Sequence, residues 1–234
     1  MKALVIGGSG TIGRAVTQDL LSYGYEVVLT YNQTSIVELQ NLYHGEPVQF
    51  LKLDVSKEVQ LDAVFKDIKN IDALIYVSGK SQFGLLQDMT NEMIHETYMI
   101  NVFNLIKITQ YFLSELMASD SGRIIVVSSI WGEMGASFET IYSTMKAGQI
   151  GFIKALSQEL VKTNVTVNAI APGAVEGTMT NQLNDEDYKL LLEELPQNRL
   201  IHPKEIAHSI MYLLSPNAKS ITGTVQRING GWYL

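Results

Sequence analysis

Apolar runs of strand length alternate with helical patterns along the whole chain. ALVIG (3–7), EVVLTY (26–31), VQFLKLD (48–54), ALIYVS (73–78), RIIVVSS (123–129), VTVNAIA (165–171) and TVQRI (224–228) each predict a strand. Several are continuous Val/Ile/Leu stretches, as expected of parallel strands covered on both faces. Between them, helical spacing predicts helices near 11–23, 34–42, 57–68, 90–118, 139–162 and 203–214. This alternation predicts an α/β fold, a doubly wound parallel β-sheet of about seven strands with helices on both faces, in a single domain over 1–234. A ligand crevice is then expected outside the carboxyl ends of the strands, where the strand order reverses. The polar, strand-free stretch 176–200 interrupts the alternation and reads as a helical insertion, a candidate substrate lid.

Composition narrows the class. Of the 234 residues 46% are apolar and 18% charged, which suits a soluble protein with a sizeable core. The net charge of −7 and the lack of any Lys/Arg cluster argue against a nucleic-acid partner. With no cysteine, disulfides, thiolate metal sites and a cysteine nucleophile are excluded together. His44, His95, His202 and His208 are scattered with no HxxxH pair, so no catalytic metal is expected. No apolar run approaches a membrane span, and MKALVIGG passes into a strand without the features of a signal peptide. The expectation is a cytoplasmic protein without a membrane partner.

The first strand runs into GGSGTIG, residues 7–13, which opens a helix. Gly8, Gly10 and Gly13 fit G-x-G-x-x-G in the strand-to-helix context that the motif requires. Glycine lets backbone amides approach a pyrophosphate, and the helix N-terminus adds unpaired N–H groups and a positive dipole. The same loop is also compatible with no more than a tight turn. The second strand ends Thr30-Tyr31-Asn32-Gln33, without the acid that binds ribose hydroxyls in NAD-binding proteins. Arg14 is placed to pair with a 2′-phosphate, or is a solvated helix charge. NADP(H) is therefore favoured over NAD(H).

The segment 128–148 carries the candidate chemistry. Tyr142 and Lys146 are four apart on a helical pattern and share a face. Ser129 ends a predicted strand thirteen residues before Tyr142, where the crevice opens. A free tyrosine hydroxyl has a pKa of about 10, too high for efficient proton exchange near neutrality. Lowering it by about 3 units takes roughly 4 kcal/mol. One ammonium at about 4 Å, with an effective dielectric near 20, supplies about that much. Lys146 is expected to lower the pKa of Tyr142.

In these residues the chain closely resembles the short-chain dehydrogenase/reductase family, from residue 3 to residue 234. Tyr142-x-x-x-Lys146 with upstream Ser129 is the family's most specific mark, and Asn101 matches its catalytic Asn. Asp54-Val55 match the pair that contacts adenine, and Pro172-Gly173 the turn beside the nicotinamide. The resemblance implies a Rossmann-type fold and hydride transfer between a nicotinamide cofactor and a carbonyl. Tyr142 would protonate the oxygen, Ser129 would hold it, and Lys146 would bind the nicotinamide ribose. Asn101 would hold a water that continues the proton relay. Gly7, Gly8, Ser9, Gly10, Thr11, Ile12, Gly13, Arg14, Asn32, Gly79, Val175 and Thr178 complete the implied cofactor set. The family pairs its long helices in dimers and tetramers. The apolar positions of 90–118 and 139–162 exceed what one sheet face covers, so a homodimer or homotetramer is expected.

Within the family the chain looks most like the 3-oxoacyl-(acyl-carrier-protein) reductases, in 172–180, 198–215 and the ending ITGTVQRINGGWYL. It departs from the family pattern at four places. Thr11 stands at the middle glycine of the phosphate loop, and Tyr76-Val77-Ser78 replace Asn-Asn-Ala before Gly79. Gly177 stands at a usual threonine, beside Thr178. Asp120 and Thr163 occupy places where carrier-docking relatives use arginine, with Lys162 and Arg123 nearby, which leaves the carrier partner open. Trp131 and Met134 are candidate walls of the substrate mouth or core and interface residues, and Phe83, Leu85, Met179 and Leu183 are weaker candidates. Three functions are compatible with these residues: reduction of a small-molecule or carrier-bound 3-oxoacyl thioester, the same chemistry on another ketone or aldehyde, and a non-catalytic dinucleotide sensor.

Overall fold

The computed structural model describes residues 1–177 and 180–233, apart from the side chain of Gln182. Seven parallel strands form one sheet in the order β3-β2-β1-β4-β5-β6-β7. They are β1 (Lys2–Ile6), β2 (Glu26–Tyr31), β3 (Val48–Lys52), β4 (Ala73–Tyr76), β5 (Arg123–Val127), β6 (Thr166–Pro172) and β7 (Val225–Ile228). The order reverses between β1 and β4, whose register pairs Ile6 with Tyr76. Their carboxyl ends part there, which makes the crevice.

Side chains alternate across each strand, and the two faces are covered by different helices. Val5, Leu29 and Ile75 pack with α1 (Thr11–Ser22), α2 (Ile36–Leu42) and α9 (Pro203–Leu214) through Val16, Leu39 and Ile206. Leu4, Ile6 and Ile124 point the other way. They meet α3 (Leu61–Phe65), α5 (Asn104–Ala118) and α7 (Thr140–Glu159) through Phe65, Phe112 and Ile153. Full burial of such side chains contributes about 1.5–3 kcal/mol each, so this double layer holds the site rigid.

Two helices differ from their expected extents. The segment 57–68 forms only α3, because Asn104 holds the loop before it as loop. Its Nδ2 donates to Val55 O and Lys57 O at 2.9 and 2.7 Å. The continuous helix expected over 90–118 is α4 (Asn91–Tyr98), a π-helical turn at Met99–Phe103, and then α5. A π-turn adds a residue to the coil without disturbing the apolar spacing on either side, so periodicity does not reveal it. Its consequence is local: Asn101 sits inside it and is fully buried.

Tyr76, one of the departures from the family pattern, is the partner of that turn. Its hydroxyl, on a fully buried ring, donates to Ile100 O at 2.5 Å. Tyr76→Phe removes this bond and is expected to lower the unfolding free energy by about 1 kcal/mol, read as a lower urea midpoint. An unchanged midpoint would show that the bond does not hold the π-turn.

Candidate active site

The carboxyl ends of β1, β4, β5 and β6 open on a cavity of about 660 Å³ that runs from the glycine loop to Tyr142. At Gly13 an added Cβ would fall on Gly7 O and lie 2.7 Å from Gly8 Cα, so α1 begins in contact with the loop backbone. Gly10 is the least constrained of the motif glycines, its nearest neighbour being Gly7 O at 3.5 Å. Gly10 also provides no side-chain cap. The free amides of the first turn of α1 therefore face the cavity at the positive end of the helix dipole. This bare, amide-lined cradle fits a dinucleotide pyrophosphate.

Most of the expected cofactor residues converge here. Gly7, Ser9, Gly10, Thr11, Ile12, Gly13, Asn32, Val55, Gly79, Pro172, Gly173 and Val175 line the cavity. Gly8 lies behind the loop, where a Cβ would meet Leu29 Cγ at 2.6 Å. Arg14 is turned aside: its Nε donates to Ser9 O at 2.8 Å and its Nη2 to Glu38 Oε1 at 2.6 Å. The Asp54 carboxylate accepts from the Ser56 hydroxyl and N–H at 2.6 and 3.0 Å, which holds its pKa below the usual carboxylate range. Thr178 and Met179 lie outside the described residues.

The departures at Thr11 and Gly177 turn out to be one feature. Gly177 has a φ of +154°, and a Cβ there would sit 2.7 Å from Thr11 Oγ1 and 3.0 Å from Thr11 Cβ. The threonine side chain on one wall occupies the space left by the glycine on the other. Both residues line the cavity.

Ser129, Tyr142 and Lys146 also line it, at the opposite end from Asn32. Ser129 follows β5, and its Oγ accepts from Trp131 N at 3.2 Å. Tyr142 and Lys146 lie on the buried face of α7, which is joined to β5 by the Ser128 hydroxyl donating to Lys146 O at 2.9 Å. Lys146 Nζ stands 5.5 Å from the Tyr142 ring centroid and donates to Val127 O at 2.9 Å and Gln149 Oε1 at 3.2 Å.

The electrostatics differ from the sequence expectation. Burial pushes the Tyr142 phenol up, Glu139 raises it further, and Ser129 pulls the other way. Burial also lowers Lys146 to about 7. The reason is desolvation: Tyr142 is 8% exposed and Lys146 2%, so each resists its charged form. The protons of Lys146 are directed at Val127 and Gln149, and its ammonium does not offset the burial of Tyr142. Within the protein alone the phenol is held protonated.

Asn101 stands behind this wall. Its Nδ2 donates to Thr97 O and Lys80 O at 2.9 and 3.2 Å, while Oδ1 is buried without a partner. Trp131 lines the mouth, edge-on to Trp232 at 5.1 Å. Met134, Phe83, Leu85 and Leu183 are exposed and outside the cavity lining. Trp232, Leu191 and Glu139 line it without having been singled out from sequence. Only Glu139 left a signal, three residues before Tyr142 on the same helical face.

The family model described as enoyl-(acyl carrier protein) reductase matches residues 7–233. An uncharacterized oxidoreductase of Bacillus subtilis, YmfI, is 38% identical over 99% of this chain and 98% of its own length. The 3-oxoacyl-(acyl-carrier-protein) reductase FabG of Vibrio cholerae is 35% identical, over 99% of this chain and 97% of its own. Among solved structures, a variant of actinorhodin polyketide ketoreductase with NADPH superposes with a TM-score of 0.90 at 26% identity. The match covers 99% of this chain and 96% of that one.

The contact between Thr11 and Gly177 predicts a dependence between the two positions. Gly177→Ala overpacks the cleft by about 1–3 kcal/mol and is expected to weaken nicotinamide dinucleotide binding about tenfold or more, read by fluorescence titration. In a Thr11→Gly background the clash is removed and only the backbone strain at φ +154° remains, so the same change should cost less. An equal loss in both backgrounds would contradict the contact.

Proposed function

The chain belongs to the short-chain dehydrogenase/reductase family, and we propose that it is an NADPH-dependent reductase of 3-oxoacyl thioesters, which it converts to 3-hydroxyacyl thioesters. The observation that carries this reading is the convergence of Ser129, Tyr142 and Lys146 on one wall of the cleft that begins at the glycine loop. Similarity to the FabG reductases over nearly the full chain supports the thioester. Asn32 at the end of β2, where an acid would oppose a 2′-phosphate, supports NADPH.

A nicotinamide dinucleotide held by the glycine loop and the cleft walls would supply a hydride for the carbonyl carbon. The Tyr142 hydroxyl donates the proton to the carbonyl oxygen, and Ser129 holds that oxygen by a hydrogen bond. Burial and Glu139 keep Tyr142 protonated, the form in which a reductive step must find it. Val127 O and Gln149 Oε1 fix Lys146, which would bind the nicotinamide ribose. Trp131, Trp232 and Leu191 exclude water from the reacting end. The segment 176–200 serves as the lid, with Glu176, Gly177 and Leu191 reaching the cavity. Exposed Tyr98, Ile106, Met117 and Val161 provide apolar surface for a homodimer or homotetramer.

A second reading, a cyclic ketone, draws support from Trp131 and Trp232, which meet edge-on and both line the cavity. NADPH oxidation with acetoacetyl-CoA, an acetoacetyl-carrier protein and a panel of small ketones separates the two. Turnover of at least one thioester is expected, and turnover of ketones alone would sink the first reading. Tyr142→Phe should lower kcat about 10²–10⁴-fold and leave the Kd for NADPH unchanged.

A further inference from the structure

Behind Lys146 lies a side chain that takes no part in the hydride or proton transfer outlined above. Gln149 is on α7, one turn beyond Lys146, and is fully buried. Its Oε1 accepts from Lys146 Nζ at 3.2 Å, and its Nε2 donates to Asn101 O at 2.7 Å. One carboxamide thus spans from the lysine ammonium to the main chain of the π-turn. The main-chain O of Asn101, the residue that the family resemblance implies would hold a water of the proton relay, is engaged by Gln149 itself.

A buried amide has two polar ends that both need partners. Here they are matched in only one orientation, with the oxygen towards Lys146 and the nitrogen towards a carbonyl. A reversed amide would set N–H against ammonium and oxygen against oxygen. The arrangement therefore presents a fixed acceptor to Lys146. An acceptor favours the ammonium form over the amine.

We propose that Gln149 is a positioning residue which holds Lys146 against the π-turn and sets the pH above which Lys146 loses its charge. The other groups around Nζ do not share this role. Val127 O is the remaining acceptor, from β5. On α7, the Tyr142 ring is 5.5 Å away, and Glu139 acts on Tyr142 while accepting from the Ser81 hydroxyl at 2.6 Å. After β4, Gly79 brings only backbone close to Nζ, and Lys80 is turned to Glu96 at 2.8 Å. From the π-turn, Asn101 presents its carbonyl to Gln149. Burial opposes the charged form of Lys146, against which its two acceptors, Val127 O and Gln149 Oε1, act.

The test is a titration of the Lys146 ¹³Cε resonance in ¹³C-lysine-labelled protein without added cofactor, assigned by its loss in Lys146→Met. A hydrogen bond to a charged group is worth about one pKa unit or slightly more. Gln149→Leu removes the acceptor and should move the midpoint down by about one unit. Gln149→Glu puts a carboxylate in the same place and should move it up by at least as much. Opposite shifts support the proposal. An unmoved midpoint in folded variants, or shifts in the same direction, would overturn it. If the leucine variant does not fold, Gln149→Glu decides alone, an upward shift supporting the role and an unchanged midpoint refuting it. The titration uses no substrate, so its outcome is distinguishable from failure of the thioester reading, on whose site it rests.

Discussion

A lysine ammonium removed from water needs oxygen atoms to donate to, and the catalytic end of this protein is arranged around that requirement. Lys146 finds Val127 O at the end of β5 and Gln149 Oε1 on its own helix. Gln149 in turn needs Asn101 O, which the π-turn positions, and Tyr76 at the end of β4 is bonded to the same turn. The order of the sheet brings these elements together, because β4 and β5 are neighbours and their helices share a face. The chemistry and the fold meet at a chain of buried polar contacts, each satisfied by the next.

The cofactor end obeys a different constraint, that of close approach. Gly13 permits α1 to begin on the loop backbone, and Gly177 leaves room for the Thr11 side chain. Two substitutions that each look damaging against the family pattern are complementary once the walls of the cleft are placed opposite each other. Tyr76 is a similar case, a large residue at a strand end that supplies a hydroxyl to the π-turn.

What the sequence made legible followed from short-range regularity. Continuous apolar runs marked the strands, and the four-residue spacing of Tyr142 and Lys146 placed both on one face of α7. Ser129 stood out at the end of a predicted strand and through the family resemblance, and Asn101 through the resemblance alone. Three things had no local signal. The π-turn hides inside an unbroken apolar rhythm. The contact between Thr11 and Gly177 joins residues far apart in the chain, as does the packing of Trp232 on Trp131. The effect of Lys146 on Tyr142 was misjudged because a charge at a given distance says nothing about desolvation, which dominates at 2% and 8% exposure. Gln149 could have been noticed as a polar residue on the face that carries Tyr142, Lys146 and Ile153.

The central claim is that the protein itself holds Tyr142 protonated, ready to donate to a carbonyl oxygen. Ultraviolet difference titration of the cofactor-free protein against Tyr142→Phe measures this directly. The account predicts no phenolate band from Tyr142 up to the ordinary tyrosine value of 10.0. A phenolate band with a midpoint near neutral pH would contradict it.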